Sequence, residues 1–286
     1  MIHGRNVALC KRRESGTGDL RMKTIVITGS TRGIGYGLAD SFLALGCRVT
    51  VSGRSQDRVG QAVETLSVKH GADNILGHPC DVTQYAQVQA LWDAAQAHFG
   101  QIDIWINNAG IGHAQTDFWE HPPEELKAVV DVNLIGALHG GRVALRGMRE
   151  QCFGSLYNME GLGSDGRRVA GLTLYGSTKA GLRYLTDSWA QETRGTPIIV
   201  GALSPGMVVT HFLTHQYEDR PEEWERAKRI FNILADHVET VTPWLAGKVL
   251  ANTKNGARIK WLTTGKLMGR FLTAPFRKRD LFQDMT

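Results

Sequence analysis

Proline and cysteine are both scarce in this chain. Eight prolines against thirty-three glycines in 286 residues exclude a proline-rich low-complexity protein. The four cysteines, Cys10, Cys47, Cys80 and Cys152, stand far apart with no C-x-x-C pair. Neither a disulfide framework nor a cysteine zinc site is expected, and a reducing compartment is the default. No run of about 18 apolar residues occurs, so no spanning helix is expected. Lys11, Arg12 and Arg13 are followed by no apolar stretch, which argues against a secretory signal. Glu14, Asp19 and the scarcity of serine argue against a transit peptide.

Charge is present but unevenly placed. Residues 1–23 hold six Lys/Arg and two acids, and residues 254–280 hold eight Lys/Arg and one acid. The whole chain carries +5, which leaves about −6 for everything between and beyond these basic ends. The basic residues lie on no nucleic-acid reading motif, so nucleic acid is not expected as a partner. A basic end touching an anionic surface is the better version of that idea: Phe271, Phe276 and Phe282, interleaved among Arg270, Arg277, Lys278 and Arg279, suit either a peripheral membrane contact or, equally, a solvated or oligomer-packing tail.

Short apolar runs alternate with longer amphipathic stretches. Strands are predicted at 23–28, 48–52, 74–78, 102–107, 154–159 and 197–203, most of them rich in Val and Ile without polar alternation, as in strands buried on both faces. Helices are predicted at 34–45, 56–70, 85–99, 123–150 and 174–194. This rhythm implies right-handed crossovers and a single α/β domain built on a doubly wound parallel sheet over 23–263. Residues 1–22 read as a disordered extension and 264–286 as a basic tail. Residues 207–240 break the rhythm past the end of a strand, where a substrate lid is expected. An edge strand is expected at 258–263.

The first strand runs into Gly29, Ser30, Thr31, Arg32, Gly33, Ile34 and Gly35, then a helix. Glycines allow a tight turn and close backbone approach, and the free N–H groups of the helix start suit a pyrophosphate. An NAD site would place an acid at the end of the second strand; here the sequence reads Ser52-Gly53-Arg54-Ser55. Arg54, with Arg32, suits a 2′-phosphate, so the expected cofactor is NADP(H). Asp81 is a candidate for the adenine amine or, equally, a helix N-cap, and Val82 follows it in the same loop.

Tyr175 and Lys179 stand four apart at a helix start and share one face. A neighbouring ammonium is expected to lower the phenol and suit it to proton exchange with a carbonyl or alcohol. These motifs, with Asn107-Asn108-Ala109-Gly110, Asn133, Tyr175-Gly176-Ser177-Thr178-Lys179 and Ser204-Pro205-Gly206 in order, resemble the short-chain dehydrogenase/reductases over residues 23 to about 263. The resemblance implies a Rossmann fold and a strand beside the cofactor supported by Asn107 to Gly110. It implies that Lys179 binds the nicotinamide ribose, that Asn133 holds a relay water, and that Thr210 meets the carboxamide near Pro205 and Gly206. It also implies a homo-oligomer, dimer or tetramer.

One departure stands out. The family places a serine about thirteen residues before the tyrosine to polarise the substrate carbonyl, where this chain has Gly161 and Leu162; Ser164 is the nearest hydroxyl and is the expected catalytic residue in that role. The strings Asn158-Met159-Glu160-Gly161-Leu162-Gly163-Ser164 and Leu203 to Thr210, with Arg258 to Gly265, resemble one branch, the chlorophyll b reductases. That resemblance implies NADPH-dependent reduction of the C7 formyl group of chlorophyll(ide) b, in the cytoplasm or plastid stroma. The alternatives are reduction of a steroid, a quinone or a small carbonyl, and a catalytically impaired NADPH-binding regulator. Phe118, Trp119, Phe212, Trp224 and Phe231 either line a pocket for a flat ring system or pack as ordinary core. His211 and His215 stand four apart without the H-E-x-x-H pattern, so no metal is expected.

Overall fold

The computed structural model describes residues 22–214, 217, 221–274, 276 and 279–283. The leader expected over 1–22 falls almost wholly outside them, as do His215, Arg277 and Lys278. Short apolar segments, most of them Val- or Ile-bearing, form β1 (Thr24–Ile27), β2 (Arg48–Gly53), β3 (Ile75–Pro79), β4 (Ile104–Asn107), β5 (Gly154–Met159) and β6 (Ile198–Ser204). Every residue of β1 and β4 is buried, which is why polar alternation is missing there. With β9 (Arg258–Lys260) at one edge, they make a parallel sheet of order β3-β2-β1-β4-β5-β6-β9. Progression reverses between β1 and β4, and their carboxyl ends open the crevice where such sheets take ligands.

Helices α1 (Gly33–Ala44), α2 (Gln56–His70), α3 (Tyr85–Phe99), α4 (Pro123–Val130), α5 (Gly136–Gln151) and α6 (Thr173–Glu192) alternate with the strands. Leu38 and Phe42 of α1 pack on one sheet face, together with Val241 and Leu245 from α9 (Val238–Ala251). Val88, Leu91 and Trp92 of α3 and Val143, Ala144 and Met148 of α5 fill the other. The continuous run Pro123–Gln151 is long and apolar enough by composition to cross a membrane, but these buried side chains make it a core helix of the sheet.

The expected lid region builds its own small unit. β7 (Met207–Val209) pairs in parallel with β8 (Ala235–His237), flanking α7 (His211–Thr214) and α8 (Pro221–Leu234). Val209, Phe231, Ala235 and Phe282 form a third apolar cluster, with Trp224 packed against it. Of the two readings open for Trp224 and Phe231, ordinary packing holds: both meet Phe282, which is 2% exposed and therefore is not part of a surface contact. The start of the tail is a helix, α10 (Thr264–Thr273), whose Thr263 cap accepts from the Lys266 amide. Cys47 and Cys80 are buried free thiols. Cys152, against the sequence expectation, is disulfide-bonded.

Candidate active site

The glycine-rich loop is braced from two sides. Gly29 adopts φ +64°, and a Cβ there would lie 2.8 Å from Ala109 Cα; one on Gly35 would lie 2.4 Å from the Gly29 carbonyl. Only glycine permits so close a fold of the loop onto the end of β4. Thr28 Oγ1 accepts from the amides of Asn108 and Ala109, and the Asn108 side chain donates to the carbonyls of Thr28 and Gly29. Asn107 donates to Asn158 Oδ1 at 2.9 Å, tying β4 to β5. Ser30 is fully buried, donating to Ile27 O and accepting from the Ser52 amide. It braces the loop.

The start of α1 fits an anionic cofactor group. Arg32 precedes the helix in an extended conformation, no side chain caps it, and its first turn holds no acid. Its N–H groups and the positive end of the helix dipole are left for a phosphate, beside a loop that side chains would close. Thr31, Arg32, Tyr36, Arg58, Gln61 and Thr65 line an adjoining groove of about 320 Å³. Arg58 is the cation that sequence reasoning missed: it stands in the first turn of α2, whose cap Ser55 accepts from its amide. Arg54 is exposed and lies outside that lining. Asp81 caps no helix; its Oδ1 accepts from Thr83 N and Oγ1, and α3 starts after Gln84. Val82 is buried, and its carbonyl accepts from His139 Nδ1.

At the other end of the crevice, a π-helical turn, Asp131–Ile135, interrupts the run from α4 to α5 and delivers Asn133. The Asn133 amide takes both backbone groups of Ile111, at 2.8 and 2.9 Å, and donates to Thr178 Oγ1 at 3.3 Å. It thereby joins the loop after Gly110 to α6. A Cβ on Gly110 would lie 3.8 Å from Lys179 Nζ. Thr210 packs over Gly33. Gly206, at φ +74°, meets the Leu262 side chain, and Pro205 precedes it in the link from β6 to β7.

Lys179 Nζ donates to Met159 O at 3.0 Å and lies 5.5 Å from the centre of the Tyr175 ring. Burial pulls the lysine down to about 8, against the opposing pull of the Glu160 carboxylate. Burial also pushes the Tyr175 phenol above its ordinary value. This corrects the expectation that Lys179 lowers it: withdrawal from water outweighs a cation whose hydrogen bond goes elsewhere. Glu160 is 4% exposed and pairs with Arg258 of β9 at 3.0 Å, and Arg258 reaches Asp187 at 2.6 Å.

The residue against the phenol is Gly161, where a Cβ would lie 2.4 Å from the Tyr175 hydroxyl. Ser164 turns its hydroxyl onto the same residue, donating to Gly161 O and accepting from Gly161 N. The structure thus places Ser164 as the closure of a turn that holds Gly161 under the phenol. The Phe212 ring lies 5.8 Å from that of Tyr175, while Phe118 and Trp119 are exposed.

His113 has no counterpart in the sequence reading. Its Nε2 accepts from the Tyr175 amide at 3.1 Å, and its Nδ1 donates to Ala114 O at 2.7 Å. Leu172, which precedes α6, offers no side-chain cap, so the imidazole serves the orphan N–H of Tyr175 itself. His121 packs edge-on against it at 4.5 Å and pairs with Glu125 at 2.6 Å.

The family model described as short chain dehydrogenase matches residues 23–221. The chain belongs to this family. The short-chain dehydrogenase is similar to the chlorophyll(ide) b reductase NOL of Oryza sativa subsp. japonica, at 36% identity over 87% of this chain and 74% of that protein. It is similar to the probable chlorophyll(ide) b reductase NYC1 of the same plant, at 33% identity over 92% of this chain. The chain spans about half the length of NYC1, 54%. Among solved structures, levodione reductase matches with a TM-score of 0.77 at 25% identity, covering 86% of this chain and 99% of that one. The 3-ketoacyl-(acyl-carrier-protein) reductase of Brucella melitensis, complexed with NADH, matches with a TM-score of 0.73 at 25% identity, over 84% of this chain and 96% of that one.

Proposed function

We propose that this short-chain dehydrogenase reduces the C7 formyl group of chlorophyll b or chlorophyllide b to the hydroxymethyl form, using NADPH. The observation that carries the chemistry is the buried Tyr175–Lys179 pair at the carboxyl end of the sheet, its phenol against Gly161. Similarity to the NOL and NYC1 proteins supports the substrate. When bound, the reduced nicotinamide supplies a hydride to the carbonyl carbon.

The protein supplies the rest. Tyr175, held protonated by burial, donates its proton to the carbonyl oxygen as the alkoxide forms. Lys179 places a cation beside the developing phenolate, and Asn133 fixes the loop bearing Gly110 to the catalytic helix. The absence of a side chain at Gly161 leaves the phenol in place. Arg32 and Arg58 beside the groove, with Arg54 following β2, support preference for a 2′-phosphate. Gly29 to Gly35 and Asp81 to Val82 hold the adenosine half, and Thr210 with Pro205 and Gly206 the nicotinamide half. The unit over 207–240 acts as the lid, the enzyme works as a homo-oligomer, and a plastid stroma suits the chloroplastic names of its relatives.

A second reading rests on Ser164. Its hydroxyl is committed to Gly161, so no serine polarises the carbonyl as in the rest of the family, which favours a cofactor-binding protein without turnover. Absorbance spectra of the protein with NADPH and chlorophyllide b decide between them. Conversion to the hydroxymethyl spectrum, lost in Tyr175→Phe, supports the reductase. NADPH binding with no spectral change supports the second reading.

A further inference from the structure

Helix α10 sits on the protein the wrong way round for a surface helix. Amphipathic helices normally bury their apolar stripe and show water their charges. Here Arg270 turns inward, donating to Leu234 O at 2.7 Å and to both oxygens of the 5%-exposed Asp236 at 2.6 and 2.9 Å. Lys266 lies 3.1 Å above the Trp261 ring, and Trp261 itself donates to Asp236 at 2.6 Å. Arg279, just beyond the helix, adds a further bond to the same carboxylate at 3.0 Å. The polar face is thus locked onto β8 and the end of the sheet. The opposite face presents Met268, Phe271 and Leu272 at 59%, 48% and 73% exposure, followed by Phe276 at 89%. Leaving these in water costs free energy that a partner surface recovers.

We propose that this outward apolar face docks on an anionic lipid surface. Charge selects the occupant. Residues 254–280 carry eight Lys/Arg against one acid; Arg258, Arg270 and Arg279 are paired with Glu160, Asp187 and Asp236, and the remaining cations still leave this end positive, while the chain apart from its two basic ends is acidic. A second copy meeting this face across a two-fold axis would bring two such cationic ends together. A leaflet of anionic headgroups meets them with opposite sign, and the four apolar side chains enter its headgroup–acyl boundary. Lys254 and Lys260 of the same segment are both exposed.

Flotation of the full chain with phosphatidylcholine vesicles, alone or with about a third phosphatidylglycerol, tests this. The protein should float with the anionic vesicles, remain behind with the neutral ones, and release at high salt. Leu272→Asp and Phe276→Asp, each at an exposed position, should each weaken binding by about tenfold or more. Circular dichroism should match the parent. Three results overturn the proposal: no flotation with anionic vesicles, undiminished flotation of both variants, or light scattering showing that the variants split an oligomer, which would make the occupant a second copy. The readout is binding, so Tyr175→Phe should float like the parent whatever the substrate proves to be.

Discussion

His113 does for α6 what a serine or aspartate does at most helix starts, and through the amide of Tyr175, the proposed proton donor. Its acceptor nitrogen must be unprotonated, a tautomer set by the Ala114 carbonyl on the other side of the ring. His113→Ala should lower kcat by about tenfold, the worth of about one lost cap. His113→Gln, which keeps an acceptor at nearly the same reach, should recover most of it. Equal loss in both variants would leave His113 a packing residue. Glu160 acts on the other member of the pair. Its carboxylate favours the Lys179 ammonium, so Glu160→Gln should move the break near pH 8 in the kcat/KM profile to lower pH; an unmoved break would exclude Lys179 as its source. Tyr175 and Lys179 were legible from their spacing only when taken together with the glycine-rich loop upstream. His113 was not, because its partner lies 62 positions away and no local pattern announces it.

At the scale of elements, the turn from β5 toward α6 is where family pattern and this chain part. Restoring the family's hydroxyl by Gly161→Ser should fail. The new Cβ would fall 2.4 Å from the phenol oxygen, and kcat should drop at least about tenfold as Tyr175 is displaced. A rise in kcat would show that the missing serine limits the enzyme. The first six strands and their helices were readable because short apolar runs alternating with longer amphipathic stretches are strong signals. β7 and β8 were not, since three-residue strands carry too few side chains to show a period. The orientation of α10 was also hidden: its pattern shows two faces, and only the buried Asp236 decides which one turns inward.

Across the whole molecule, Asp236 is the knot that joins the β7–β8 unit, the sheet end and α10. Burial alone would raise its carboxyl, but hydrogen bonds from Trp261, Arg270 and Arg279 and the Arg270 charge hold it below the ordinary range. A carboxylate depressed on folding stabilises fully above its unfolded value and loses that contribution as pH falls through the folded one. Thermal melts should therefore decline from about pH 4 downward. Asp236→Asn should cost about 2–4 kcal/mol at neutral pH, because two arginines lose their counter-charge, and should flatten the acid decline. An unchanged slope would place the acid sensitivity elsewhere. The same region has a bearing on how the proposed pigment, sparingly soluble in water, would reach the crevice. Leu262, two residues before α10 begins, touches Gly206 at the expected nicotinamide end. Under the proposed docking by α10, that end lies close to the leaflet, and a membrane-held substrate would reach it without crossing water. Turnover should then track the mole fraction of pigment within the vesicle rather than its bulk concentration.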